Sequence, residues 1–290
     1  MGGVIHRLAL ERSQAAEVCG ALIPLSTEVV MDQAWQPFTV RRLLSRTPKH
    51  LRSGGPRPNP FLPWEAALEV QRLGSSHLLL LNKFPVQRGH LLLITQQWQP
   101  QAGWLEAADW QALAAVEGDT SGLWFFNSCA AAGASQPHRH LQLLPRGPGE
   151  ASCPLAPQLR AQLRDAGEPW PWCYRLSPRQ ASGTPAAAEE LAALYQRHAD
   201  ELGLGQQQQE PAPLQAYNLL FDADWFMTVR RSQEHWAGTS VNALGFAGYL
   251  LITERSDEGW LADHGPLALL QQVACCEDGD QAVVSRMRRP

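Results

Sequence analysis

The chain has 290 residues, 44% of them hydrophobic and 18% charged, which suits a globular protein that can bury a core and excludes a disordered chain. With 24 basic and 28 acidic residues the formal net charge is −4, against a general nucleic-acid or membrane-surface binder. No run approaches the ~18 apolar residues of a membrane span. The opening MGGVIHRLALERSQ carries no secretory-type apolar stretch, and His6 stands where a myristoylation signal needs Ser or Thr, so a cytoplasmic protein is expected.

In chain order, apolar residues at helical spacing predict a helix over 6–20. A segment without acidic residues follows between Gln33 and Trp64, holding Arg41, Arg42, Arg46, Lys49, Arg52 and Arg57. In an acidic chain such a segment suits a small anion such as a polyphosphate, the plainer alternative being a solvated basic loop. Strands are predicted over 76–81 and 89–95, joined through the turn residues of 84–89. A helix over 104–117 and strands over 122–128 and 138–144 come next. The Pro-rich region 145–171 reads as loop, and 182–185 as a linker into a helix over 186–202. The stretch 203–213, with a run of glutamines at 206–209, reads as a mobile connection. Strands over 215–221 and 225–231 share a short turn at 222–224, and a strand over 247–253 precedes a helix over 264–276. Hairpin-joined strands with flanking helices indicate an α+β protein with a mainly antiparallel sheet. Cys19, Cys129, Cys153, Cys173, Cys275 and Cys276 form no C-x-x-C pair and are expected to be reduced, mostly buried thiols, with no zinc site among them.

The central string GASQPHRHLQLL (133–144) carries the chemistry. On a strand, His138, His140 and Gln142 would share one face, with Arg139, Leu141 and Leu143 on the other. The small-residue loop 133–136 before it lets backbone N–H groups approach an anion closely. Three readings stand open at this point. The string is a polar strand face, a metal pair lacking an evident third ligand, or a covalent site in which a neutral histidine attacks phosphorus. The adjoining loop favours the third over metal.

The string resembles the His-x-His-x-His/Gln signature of the histidine-triad superfamily in the Gln form of its nucleotidyltransferase branch. More narrowly, GASQPHRHLQLLP is similar to the motif of the ATP adenylyltransferase, or diadenosine tetraphosphate phosphorylase, family. NPFLPWE (59–65), LLLLNKFPVQRGHLLLIT (78–95), YNLLFDADWFMTVRRS (217–232) and SVNALGFAG (240–248) are similar to further blocks of that family in the same order.

The resemblance implies a histidine-triad-like α+β fold forming one catalytic unit: an N-terminal region over 1–180, a helix and Gln-rich linker over 181–213, and a C-terminal region over 214–290. It implies phosphorolysis of diadenosine tetraphosphate by inorganic phosphate to ATP and ADP, and the reverse synthesis. His140 would be the nucleophile forming an adenylyl-histidine, with His138 supporting it and Gln142 holding a phosphate oxygen. Substrate contacts would come from Lys49 (with Arg57 as the other candidate), Asn82, Lys83, Asn127, Gly133, Ala134, Ser135, Gln136, Ser240, Val241 and Asn242. No protein-bound metal and no covalent cofactor are implied, although a divalent cation such as Mg²⁺ is compatible with the nucleotide. Its partners would be the small nucleotides and phosphate, without nucleic acid or membrane.

Two positions depart from the family pattern. Cys129 replaces a common glycine, and Thr253, Glu254 and Arg255 stand where a lysine is usual, leaving Arg255 as the candidate substitute. Rival readings are a uridylyltransferase-like or sugar-nucleotide phosphorylase relative and a non-catalytic nucleotide-binding protein of the same fold. Arg139 and Leu141 argue against the first of these, which commonly has proline between the histidines.

Overall fold

The computed structural model describes residues 3–45, 59–147 and 149–274. Helix α1 (Val4–Val18) leads into β1 (Thr27–Val30), β2 (Thr39–Leu43), β3 (Glu69–Leu73), β4 (His77–Leu81) and β5 (Leu91–Thr95). Then come α2 (Ala107–Glu117), β6 (Gly122–Asn127), β7 (His140–Pro145), α3 (Ala156–Gln162), β8 (Tyr174–Pro178) and α4 (Ala187–Glu201). The chain closes with β9 (Ala216–Phe221), β10 (Trp225–Arg231), β11 (His235–Trp236), β12 (Thr239–Ser240), α5 (Ala243–Phe246), β13 (Tyr249–Ile252) and α6 (Glu258–Val273).

Eight strands form one antiparallel sheet in the order β3-β4-β5-β7-β6-β9-β10-β8. Strands β4, β5 and β7 are buried at every position, which explains why β4 and β5 read as nearly continuous apolar runs instead of alternating. One face packs Leu93, Trp124, Leu141, Leu143, Tyr217 and Phe221 against α1, α2 and α4 through Ile5, Trp110, Leu113, Leu191 and Tyr195. The other face packs Leu123, Phe125, Leu144, Leu220 and Met227 against Val40, Leu159, Phe246, Leu250 and Leu269. That second layer contains α3, α5, α6 and a small sheet β1-β2-β13, in which β13 runs parallel to β2.

The α+β class and the two hairpins β4–β5 and β9–β10 match the sequence expectation. Several local expectations need correction. The Pro-rich region contains α3, where Pro157 sits in the first turn and costs no hydrogen bond. The Gln-rich stretch is tied down: Glu210 N–H donates to the Gln206 carbonyl, Trp104 Nε1 donates to the Glu210 carbonyl at 2.9 Å, and Leu214 N–H donates to the Leu204 carbonyl at 2.8 Å. Helix α6 starts earlier than the predicted 264, because Asp257 caps it by accepting from Trp260 N–H; Gly265 at φ 79° and Pro266 mark a kink inside it, not its beginning. Cys19, Cys129 and Cys153 are free thiols as expected, but Cys173 is disulfide-bonded, so the expectation of reduced thiols throughout does not hold.

Candidate active site

His140 opens β7, paired in register with Ile94 of β5; Gln142 lies between Leu92 and Phe125. The ladder begins at His140, not at 138 as predicted. His138 forms only an isolated bridge to Pro100.

Both histidines have fixed tautomers. Asn59 Oδ1 accepts from Phe61 N–H at 3.0 Å, which turns Asn59 Nδ2 to donate to His138 Nδ1 at 2.9 Å. His138 Nε2 therefore carries the proton, directed at the carbonyl of Thr95 at 2.9 Å and lying 2.9 Å from its hydroxyl. With both ring nitrogens engaged, His138 has no lone pair for a metal or a phosphorus atom. Its backbone carbonyl, however, accepts from His140 Nδ1–H at 2.8 Å. His140 Nε2 is thus the unprotonated nitrogen, and among the described residues none hydrogen-bonds it.

The His140 backbone is clamped as well. Gln101 Oε1 accepts its N–H at 2.8 Å, while Gln101 Nε2 donates to the carbonyls of Asn127 at 2.7 Å and His140 at 3.3 Å. Phe61 covers both imidazoles, with ring centroids 5.5 Å from His140 and 5.6 Å from His138. Burial pulls the His140 pKa down to about 4, outweighing the carbonyl of His138, which raises it; the ring is neutral at physiological pH.

A second relay of the same form fixes Gln142. Asn82 Oδ1 accepts from Phe84 N–H at 3.0 Å, so Asn82 Nδ2 donates to His90 Nδ1 at 3.0 Å. His90 Nε2–H then donates to Gln142 Oε1 at 3.1 Å. Gln142 is left with its NH₂ group to offer a ligand. Asn82, expected on sequence as a substrate contact, acts here on Gln142 through His90. His90→Leu is expected to lower kcat about tenfold, the equivalent of one hydrogen bond of ~1.4 kcal/mol, with less change in KM; steady-state kinetics against substrate concentration measure it.

The predicted contact segments converge. Gly133, at φ 87°, lies so close to the second layer that a Cβ there would meet Asn242 Cβ at 2.7 Å and the Val241 carbonyl at 2.9 Å. Asn127 Oδ1 accepts from Asn218 Nδ2 and from Ala243 N–H, both at 2.9 Å. Asn242 caps α5 through Leu244 N–H, Val241 is buried, and Ser240 is exposed with its hydroxyl on Glu234 at 2.8 Å. Gly133 and Ala134 shape the loop, but their N–H groups are spent on the carbonyls of Ala130 and Cys129. Ser135 lies half-buried on the same loop, and the buried Gln136 Oε1 has no hydrogen-bond partner among the described residues.

Lys83 is half-buried and paired with Glu65 at 2.7 Å. Of the basic segment, Arg42 is taken by Glu258 and Glu28, both at 2.6 Å. Lys49, like Arg46, Arg52 and Arg57, lies outside the described residues. Arg255 is exposed in the turn after β13, its carbonyl packed against Gly238.

Sequence reasoning passed over Asn59, His90, Thr95 and Gln101 as individual residues. One signal was present: Asn-x-Phe occurs at 59–61 and again at 82–84, each time with the asparagine bound to the phenylalanine N–H and presenting its amide to a histidine.

The neutral histidines also set an acid limit on stability. His90, like His140, is pulled by burial to about 4, whereas an unfolded histidine titrates near 6.5. Between those values the unfolded chain binds more protons, so stability is full above pH 6.5 and falls as pH drops towards 4. Each ring should cost ~1.4 kcal/mol at pH 5.5. Thermal unfolding across pH 7.5 to 5 checks this; a flat Tm would contradict it.

A family model described as the Ap4A phosphorylase N-terminal domain matches residues 2–161, and one described as the ATP adenylyltransferase C-terminal domain matches 168–276. The chain belongs to the Ap4A phosphorylase family. It is similar to "Protein APA1" of Saccharomyces cerevisiae, 41% identical over 121 residues, covering 37% of this chain and 38% of that protein. It is also similar to diadenosine 5′,5′′′-P1,P4-tetraphosphate phosphorylase 2 of the same yeast, 26% identical over 206 residues, covering 61% and 62%. Both matches span less than two thirds of those proteins. The crystal structure of yeast Ap4A phosphorylase Apa2 in complex with Ap4A has the same fold, with a TM-score of 0.72 at 21% identity, covering 94% of this chain and 98% of that one.

Proposed function

We propose that this protein is an enzyme that phosphorolyses diadenosine tetraphosphate (Ap4A), converting it with inorganic phosphate to ATP and ADP, and runs the reverse synthesis. The observation that carries the chemistry is the buried His140 ring, whose Nδ1–H is held by the His138 carbonyl at 2.8 Å, giving a neutral imidazole with its lone pair at Nε2. The name of the second yeast relative and the Ap4A bound to the fold neighbour support the substrate.

His140 Nε2 attacks the α-phosphorus, the P–N bond forms, and the bond to the bridging oxygen breaks to release ATP. A phosphate oxygen then attacks the adenylyl group; the P–N bond breaks, ADP leaves, and His140 returns to its neutral form. Because Nδ1–H stays on the His138 carbonyl, the positive charge developing on the ring is met by a fixed dipole. Gln142 offers an NH₂ donor to a phosphate oxygen but has no proton to exchange near neutral pH, so it does not activate water. That suits resolution of the intermediate by phosphate. Asn127, Gly133 to Gln136 and Ser240 to Asn242 frame the nucleotide and its phosphates, and Lys83 leaves Glu65 for the polyphosphate, joined by Lys49.

Among the described residues no cluster of three His, Cys, Asp or Glu is placed to hold a metal. A divalent cation such as Mg²⁺ riding on the nucleotide's own oxygens is part of the proposal. Among those residues, too, no helix is long and apolar enough to cross a membrane. A cytoplasmic location is part of the proposal, as is the division of one catalytic unit at 1–180, 181–213 and 214–290.

The test is incubation with Ap4A, with and without phosphate. Equimolar ATP and ADP forming only when phosphate is present supports the proposal. Equal cleavage in water alone would make the protein a hydrolase, and preference for uridine substrates would move it to the uridylyltransferase-like enzymes.

A further inference from the structure

Arg231, the last residue of β10, is 3% exposed and donates all round its guanidinium. Nε reaches the Val273 carbonyl at 3.1 Å; Nη1 reaches Asn218 Oδ1 and, at 3.3 Å, the Ala132 carbonyl. Nη2 reaches the carbonyls of Val241 and Gln233, each at 2.8 Å, and of Glu234 at 3.3 Å. Its flat face lies over the Phe246 ring, 5.3 Å from the centroid. Every one of these acceptors is neutral.

The other deeply buried arginines are different. Arg139 has Asp109 at 3.0 Å, and Arg179 is bonded to Glu117 and Glu190. Among the described residues no carboxylate reaches Arg231 within ion-pair distance, and Glu234 acts on its charge only from further away. Burial draws its pKa down to about 10, so it remains a cation at neutral pH. A buried charge without a counter-ion costs several kcal/mol. Bridging carbonyls does not require that cost, because a neutral amide also donates hydrogen bonds.

Two of the carbonyls that Arg231 holds belong to the segments that meet at Gly133. Ala132 precedes that glycine, and Val241 packs against it from the second layer. A third partner, Asn218, donates to Asn127 Oδ1 and to the Ala132 carbonyl, each at 2.9 Å. The guanidinium therefore lies beneath the junction of the loop 133–136 and the element 240–242.

We propose that Arg231 is the positioning residue of the phosphate subsite: it pins these two segments together and supplies from beneath the counter-charge that the bound phosphates satisfy. This rests on the reading that the two segments frame the substrate's phosphates. Arg231 acts from behind the site, and the anion that none of the described residues supplies is the ligand.

The test compares Arg231→Gln and Arg231→Lys with the wild-type chain, reading KM and kcat for phosphate and Ap4A, and the rise in Tm on adding phosphate. Expected for the glutamine variant is a KM for both substrates at least ~10-fold higher, a smaller fall in kcat, and little Tm gain from phosphate. The lysine variant, which keeps the charge but loses the fork, should recover most of the affinity from a lower starting Tm. Should the glutamine variant not fold, the lysine variant decides alone: retained phosphate affinity supports the proposal and lost affinity overturns it. A glutamine variant that gains as much Tm from phosphate as wild type, or falls only in kcat, also overturns it. If the wild-type chain itself neither gains Tm from phosphate nor cleaves Ap4A, the underlying reading of the site fails first.

Discussion

His140→Ala should lower the rate of Ap4A phosphorolysis by at least ~10³-fold, because it removes the nucleophile and not a contact that binding energy can replace. The fold should survive. The His140 side chain is buried but makes its one side-chain hydrogen bond locally, to the carbonyl of His138. The backbone clamp from Gln101 to the N–H of residue 140 does not depend on the imidazole. Tm should therefore change little while kcat collapses and Ap4A still binds. A variant that keeps a tenth or more of the wild-type rate would show that another group attacks.

The largest effect on stability is expected behind the same strand. Arg139, between the two histidines in sequence, points to the opposite face, where Asp109 accepts from its Nη1 at 3.0 Å. Asp109 also lies 2.9 Å from His77 Nε2 and accepts the Glu106 N–H at 2.7 Å, closing the capping box of α2. Both members of the ion pair are 2–3% exposed. Asp109→Ala leaves the buried guanidinium only the exposed Glu106 carboxylate, 3.8 Å away, which costs about 3–5 kcal/mol and lowers Tm by on the order of 10 °C. Removing both charges, as in Asp109→Ala with Arg139→Leu, should restore part of that loss. If the single and double variants unfold at the same temperature, the pair is not what holds the helix to the strand.

The sheet and its hairpins were legible because β4, β5, β9 and β10 are almost entirely buried, and burial on both faces writes itself as largely apolar runs bounded by turn residues. Strands β2 and β3, reading TVRRL and EVQRL, are only half-buried and carry charges that hide them. The tight turn at 206–210 was illegible for another reason. Glutamines suggest a mobile tail, and only the tertiary bond from Trp104 to the Glu210 carbonyl closes it.

In the site, alternation correctly separated His140 and Gln142 from Arg139 and Leu141. It could not show that His138 has both nitrogens occupied, since that depends on Asn59, whose position in space only the fold determines. His90 was equally hidden. It sits on no periodic face, and its meaning comes from Asn82 on one nitrogen and Gln142 on the other. The two Asn-x-Phe strings were the clue in the sequence, because an asparagine that caps the residue two positions on leaves its amide facing elsewhere.

The most direct test of the central claim is mass spectrometry of the protein mixed with Ap4A in the absence of phosphate. Expected is one adenylyl group on the peptide carrying His140, stable in base and labile in acid, with ATP released, and then discharged as ADP when phosphate is added. An adduct on any other residue, or phosphate-dependent turnover with no adduct in the same sample, would contradict it.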